Sequence, residues 1–212
     1  MPQIFNLRKI AISLAMFALI SLGSAVAAKA DSLYTIDVPN AGLSGTPGPY
    51  ATVNLHFVSS SQIDVTVTML GDFTMFGQND AFGFNGPAGL TITNIGSELG
   101  LCPGCGFSVG TGGNIDGFGS FNYSLSDGTP GGSEHTLLTF SVTCAACFAD
   151  ENGIYIANGN GAHFVVHVSP GPDIPTGYAA DSGTSVPEPA SMLLLGTGLL
   201  GVAGAVRRRF RK

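Results

Sequence analysis

Basic residues are missing from most of this 212-residue chain. All 8 Lys and Arg residues lie in the first 29 residues or the last six, whereas all 14 Asp and Glu residues lie between Asp31 and Glu188. The middle of the chain therefore has no Lys or Arg that could neutralise phosphates, which excludes binding to nucleic acids and attraction to anionic lipids. Ion pairs within this segment can form only through its 4 histidines.

Charged residues make up only 10% of the chain and tryptophan is absent, but apolar residues make up 44%. This composition excludes an intrinsically disordered chain, because it provides enough apolar surface to bury. The motif H-E-x-x-H is also absent, and so is the ligand spacing of an EF-hand. We therefore predict no catalytic residues, no metal site and no cofactor.

The first 30 residues have the three parts of a secretory signal peptide. Two basic residues among the first nine precede an uncharged run of 13 residues, Ile10–Leu22, and small residues follow. We expect a signal helix and cleavage by signal peptidase after Ala30, with Ala28 and Ala30 as the small residues that are recognised. Cleavage after Ala27 is the alternative.

The C-terminal end carries a second apolar run, Ala190–Val206, of 17 uncharged residues. As a helix it would be about 25 Å long, near the lower limit for crossing a bilayer core. The basic residues that follow would stop transfer and remain in the cytoplasm. Pro187, Glu188 and Pro189 precede the run, and their prolines favour an extended, non-helical conformation. We predict one transmembrane helix here, with the middle of the chain outside.

The Pro-Glu-Pro box, the apolar helix and the basic end, residues 187–212, resemble the PEP-CTERM sorting signal of bacterial exosortase substrates. The same tail is also called an ice-binding protein C-terminal domain, a label that implies no ice binding here. The resemblance implies that the tail anchors the exported chain in the inner membrane until an exosortase-type enzyme recognises the box and passes the chain to the cell surface or the extracellular space. A plain membrane anchor is the alternative.

Residues 31–168 show the period-two alternation of apolar and polar residues that is typical of strands. No stretch shows a 3.6-residue period. We predict an all-β domain, an antiparallel, jelly-roll-like β-sandwich in which each strand buries one face. The main expected strands centre on Val53–Phe57, Ile63–Met69, Leu138–Val142 and Phe164–Val168, with shorter ones at Phe82–Phe84, Leu90–Ile95, Phe118–Leu125 and Ile154–Ala157. Residues 169–186 lack periodicity and are predicted to be a flexible linker.

The four cysteines form two C-x-x-C pairs, Cys102 with Cys105 and Cys144 with Cys147. In an exported protein an even number of cysteines favours disulfides, and three pairings are possible. A four-thiolate zinc site and redox-active thiols are the alternatives.

Two further patterns suggest metal ligands at first sight. His163 and His167 would lie about 13 Å apart on a strand, too far to share one metal ion, and we predict that both face solvent. The acidic turns at 112–119 and 149–153 are expected to be ordinary turns rather than calcium sites.

The sequence thus predicts a non-enzymatic, exported surface or extracellular-matrix protein. Its expected partners are signal peptidase, an exosortase-type enzyme and the membrane around the C-terminal helix, and an exopolysaccharide is a further candidate. A carbohydrate- or calcium-binding adhesion module is the alternative function, followed by a secreted hydrolase.

Overall fold

The computed structural model describes residues 31–97, 100–101, 107–128 and 133–186. Their regular elements are all β-strands apart from two short 3-10 helices, Ala41–Leu43 and Glu151–Ile154. This confirms the predicted all-β class. The strands are β1 Ser32–Pro39, β2 Ala51–Ser59, β3 Gln62–Met69, β4 Thr74–Phe76, β5 Phe82–Phe84, β6 Thr91–Ser97, β7 Gly100–Leu101, β8 Ser108–Gly110, β9 Gly113–Ile115, β10 Gly119–Phe121, β11 Tyr123–Ser126, β12 Glu134–His135, β13 Leu137–Thr143, β14 Phe164–Ser169 and β15 Gly177–Val186.

Within the described ranges, 13 strands form one sheet whose paired strands run antiparallel. Its main path has the order β7-β6-β13-β3-β2-β1-β15-β14-β5-β11-β8, and β4 joins β14 and β12 beside this path. The remaining two strands, β9 and β10, pair only with each other.

The sheet folds back on itself to enclose the core. Phe140 on β13 contacts Phe82 and Phe84 on β5, with ring centroids 5.9 and 5.7 Å apart. In a flat sheet these strands would be about 29 Å apart, at about 4.8 Å for each step in the strand order. The two edge strands are also joined by residues 102–107 alone, which span at most about 25 Å. The core therefore has two facing layers, but one continuous sheet supplies both, where the sequence had suggested two separate sheets.

The alternating strands behave as their sequences predict. One face of β2, β3 and β13 is buried because it faces the opposite layer, and the other face is more exposed. The inward residues include Val53, Leu55, Ile63, Val65, Val67, Leu138, Phe140 and Val142, none of which is more than 2% exposed. Burial of large side chains of this kind stabilises each by about 1.5–3 kcal/mol.

A smaller apolar cluster lies on the other side of the sheet, beneath the β9–β10 hairpin. Ile115 and Phe121 from the hairpin pack against Val165 on β14 and Ala180 on β15. The cluster covers Val165 on the outer face of β14, and every residue of this strand is buried. Gly83 on β5 allows this close approach, because a Cβ there would lie 2.6 Å from Ile115 Cδ1 and 2.9 Å from Val165 Cγ1.

Gly83→Val should therefore lower the free energy of unfolding by about 1–3 kcal/mol, the usual cost of overpacking a filled core. Gly113→Val is the matched control, since a Cβ at Gly113 meets no atom within 4 Å. Urea denaturation followed by circular dichroism measures both. Equal stabilities for the two variants would show that the hairpin does not pack tightly against Gly83.

The expected linker at 169–186 is wrong over most of its length. Residues 177–186 form β15, which pairs with β1 on one side and β14 on the other. Ala179 and Ala180 are buried within it. The folded domain therefore extends to Val186, and only residues 170–176 form a connecting loop.

The predictions of two short strands also need correction. The expected strand at Ile154–Ala157 is absent: Ile154 ends a 3-10 helix, and Tyr155 makes one isolated bridge to Asn85. The expected strand at Phe118–Leu125 is divided between β10 and β11, which belong to different sheets.

No helix within 31–97, 100–101, 107–128 and 133–186 is long and apolar enough to cross a membrane. The predicted signal peptide and its Ala28 and Ala30 lie outside the described residues, and so do the predicted transmembrane helix and the box at 187–189.

Candidate functional site

Histidine is the only side chain of residues 31–186 that could pair with a carboxylate as a cation, because this range has no Lys or Arg. Three pairs form among the described residues, each between a histidine and an aspartate. They are His56 Nδ1–Asp31 Oδ1 at 2.6 Å, His135 Nε2–Asp127 Oδ2 at 3.2 Å and His163 Nδ1–Asp181 Oδ2 at 2.9 Å. The first pair is exposed, whereas both carboxylates of the other two are almost fully buried.

Asp181 on β15 is hydrogen-bonded through both of its carboxylate oxygens. Its Oδ1 accepts the backbone N–H groups of His163 at 2.9 Å and Phe164 at 2.8 Å. Its Oδ2 lies 2.9 Å from His163 Nδ1 and accepts the Tyr155 hydroxyl at 3.3 Å and the Gly183 N–H at 3.2 Å. These donors compensate for the burial of a charged group. Asp181 thereby fixes the start of β14 against β15.

Three rings are stacked beside this carboxylate. Tyr155 lies between Tyr34, with ring centroids 4.0 Å apart, and His163, at 3.7 Å. Burial, and then the negative charge of Asp181, raise the pKa of Tyr155, so its hydroxyl stays protonated and acts as a donor. The Tyr34 hydroxyl in turn donates to the side chain of Asn152. The arrangement is a rigid polar cluster that joins the start of β1 to the loop before β14.

The prediction that His163 and His167 face solvent is wrong. His163 is half-buried just before β14, and His167 is only 6% exposed within it. On the outer face of β14, the rings of Phe76 and Tyr178 cover His167, so the solvent-facing side that alternation implied is lost. Each histidine has its own set of partners, so they do not form one site.

Both ring nitrogens of His167 are hydrogen-bonded. Nδ1 lies 3.0 Å from the Gln78 carbonyl oxygen and must donate to it, so Nε2 accepts the Thr176 hydroxyl, 3.0 Å away. Burial lowers the pKa of His167 and keeps the ring neutral. A hydroxyl beside a neutral imidazole is one part of a hydrolase site. Here, however, the ring is packed between Phe76 and Tyr178, and the contact holds the 170–176 loop against β14.

The acidic turns have structural partners. Asp150 caps the second 3-10 helix by accepting the Asn152 N–H at 2.9 Å. Asp116 lies in the β9–β10 turn and accepts from the Asn40 side chain at 3.2 Å. Across the described part of the chain, no group of three or more His, Cys, Asp or Glu residues could hold a metal ion.

Cys144 and Cys147 are bonded to each other in a local disulfide, with Cα atoms 5.9 Å apart. Two of the four sulfurs that a zinc site would need are therefore bonded together. A disulfide around so short a loop stabilises the fold by only about 2 kcal/mol on the chain-entropy estimate. Cys102 and Cys105 lie outside the described residues.

The last residues of β15 lead directly into the tail. Ser185 pairs with Tyr34 and Val186 with Leu33, and the Pro-Glu-Pro box begins at the next residue. The family model described as the PEP-CTERM protein-sorting motif matches residues 185–209. The tail is a PEP-CTERM sorting motif. This confirms the resemblance found in the sequence and indicates an exported, surface-directed protein that an exosortase-type enzyme processes. No curated protein and no solved structure is significantly similar to the chain.

The PEP-CTERM motif begins inside the folded domain, since its first two residues belong to β15. Sequence reasoning found the motif but missed this junction. The polar cluster around Asp181 was missed as well, because its members come from three separate parts of the chain. The only local signal was an acidic residue directly after two alanines in "YAADSG".

Proposed function

We propose that this chain is a non-enzymatic surface or extracellular-matrix protein, delivered by export and exosortase-type processing. The single observation that carries the proposal is the PEP-CTERM motif at 185–209, which begins in the last two residues of β15. Residues 1–30 would act as the signal peptide, cleaved after Ala30, and the C-terminal helix would anchor the chain until processing. The domain from residue 31 to residue 186 would then be the part that is displayed.

The use of the buried polar side chains supports a structural role. The carboxylates of Asp181 and Asp127 both bind histidines within the domain, and both ring nitrogens of His167 are hydrogen-bonded. Catalysis by general acid–base or nucleophilic chemistry requires such groups to reach a substrate. The strong acidic excess of the domain favours solubility outside the membrane.

Replacing Pro187, Glu188 and Pro189 together by alanine should abolish tail processing, because the enzyme then has no extended box to bind. We expect nearly all of the chain to remain full-length in the membrane fraction. Intact mass of the chain and immunoblotting of cell fractions measure this.

The matched control replaces Pro170, Pro172 and Asp173 by alanine. It also removes two prolines and one acidic residue, but from the loop before β15. Its processing should equal that of the unchanged chain. Normal processing and normal surface delivery of the Pro-Glu-Pro variant would reject the sorting proposal.

A calcium- or carbohydrate-binding adhesion module is the second candidate. The observation that favours it is the charge of the domain: residues 31–186 contain all 14 acidic residues of the chain except Glu188 and no Lys or Arg, and such a surface attracts hard cations. Calorimetric titration of residues 31–186 with calcium, together with a glycan array, distinguishes the candidates. Saturable binding favours the adhesion module, and its absence favours the structural role.

A further inference from the structure

The Cys144–Cys147 disulfide lies on the surface, directly after β13. Cys147 and the two alanines between the cysteines are exposed, and Cys144 is half-buried. Exposed disulfides are the ones that exchange with external thiols, whereas buried structural disulfides are protected. An attacking thiol can therefore reach this bond in the folded protein, and it reaches Cys147 first.

The loop around the disulfide is held in place by other contacts. The Cys144 N–H donates to the Ser61 carbonyl at 3.1 Å, and the Ala146 N–H donates to the Ser61 hydroxyl at 3.1 Å. The Phe148 N–H donates to the Ser60 carbonyl at 3.0 Å, and the Phe148 side chain is buried in the core. These bonds tie the loop to the β2–β3 turn without using either sulfur. Breaking the disulfide would thus leave the two sulfurs close together and ready to bond again.

A donor already faces the sulfur that would be released. The Cys147 N–H lies 3.2 Å from Cys144 Sγ. A thiolate at Cys144 would accept this hydrogen bond more strongly than a disulfide sulfur does, because hydrogen bonds to charged acceptors are stronger. Cys144 is therefore the better leaving group, and Cys147 is the sulfur that is attacked.

We propose that Cys144–Cys147 is an exchangeable disulfide that accepts two electrons from a protein dithiol outside the inner membrane. One thiolate of the dithiol attacks Cys147 Sγ, forms a mixed disulfide and displaces Cys144 as a thiolate. The second thiol of the partner loses its proton and attacks the mixed disulfide, which releases Cys147. Two protons convert the released sulfurs to thiols, so the chain gains a dithiol and the partner gains a disulfide. The exchange chemistry does not depend on the sorting motif, whereas the partner's location outside the inner membrane rests on the proposed export.

The first test uses the full chain with Cys102→Ser and Cys105→Ser, which leaves one disulfide. The native and the urea-unfolded chain are treated with dithiothreitol, quenched with acid, alkylated and weighed. We expect the native disulfide to be reduced within about tenfold of the rate in the unfolded chain, since access controls the rate. Circular dichroism should be unchanged after reduction. Replacing dithiothreitol by oxidised glutathione, which accepts the two electrons, should restore the disulfide without dimers. Reduction only as fast as global unfolding, or loss of the fold on reduction, would overturn the proposal.

The second test assigns the roles of the two sulfurs. In the same background, the native chain is treated briefly with reduced glutathione, quenched with acid and alkylated, and peptide mass spectrometry locates the bound glutathione. We expect glutathione on Cys147 and the alkyl group on Cys144, because Cys147 is the more exposed sulfur and Cys144 leaves as the thiolate. Glutathione mainly on Cys144 would contradict attack at Cys147.

Discussion

A chain that ends at Val168 should not fold, whereas a chain that ends at Val186 should unfold in one cooperative transition. The difference is β15, whose removal would leave β1 and β14 without the strand that joins them in the middle of the sheet. It would also remove Ala179, Ala180 and Asp181 from the interior. Loss of a central strand should exceed the whole stability of a domain this size, about 5–15 kcal/mol.

Thermal and urea unfolding followed by circular dichroism measure the outcome, with both chains starting at Asp31. The chain that ends at Val186 is the matched control, since it keeps every described strand. A cooperative transition for the shorter chain, at a similar midpoint, would show that β15 is dispensable and would restore the idea of a linker before the sorting motif.

Asp181→Ala should lower the free energy of unfolding by about 3–5 kcal/mol, the cost of breaking a buried pair by removing one partner. The substitution leaves the backbone N–H groups of His163 and Phe164 without their acceptor. It also removes the acceptor of the Tyr155 hydroxyl. Urea denaturation measures the change as a lower midpoint at a constant slope.

Asp181→Asn separates charge from shape. The amide oxygen can still accept the two backbone bonds now made by Oδ1, but its NH₂ group would face the donors that surround Oδ2. We expect Asp181→Asn to lower the free energy of unfolding by less than Asp181→Ala does. Tyr155→Phe removes a single hydroxyl and should cost about 1 kcal/mol. A loss for Asp181→Ala no larger than that for Tyr155→Phe would show that the carboxylate is not the centre of the cluster.

Strands that bury one face of large side chains could be predicted from the sequence. Val53 and Leu55 in β2, or Leu138 and Phe140 in β13, alternate with polar residues because only one side faces the core. β15 could not be predicted in this way. It buries Ala179 in the main core and Ala180 in the cluster under the β9–β10 hairpin, and small residues on two faces give no alternation.

The candidate sites also differ in how far the sequence could predict them. The Pro-Glu-Pro box could be predicted because an enzyme recognises it as a linear motif, and its residues are adjacent in the sequence. The contacts of Asp181 depend on how β14, β15 and the 151–154 helix meet in space, which the sequence alone does not specify. Likewise, the spacing of the cysteines permitted three disulfide pairings. The structure pairs Cys144 with Cys147, in a loop that is hydrogen-bonded to Ser61.

The position of β15 also determines how the domain would bear mechanical load. Hydrogen bonds in an antiparallel sheet run perpendicular to the strands, and β15 has such bonds to both of its neighbours. Tension applied through Val186 along the strand would therefore load both ladders in shear, so that many bonds share the force. A domain held by its last strand in this way resists extraction by flow far better than one held by an edge strand, whose bonds would open one at a time.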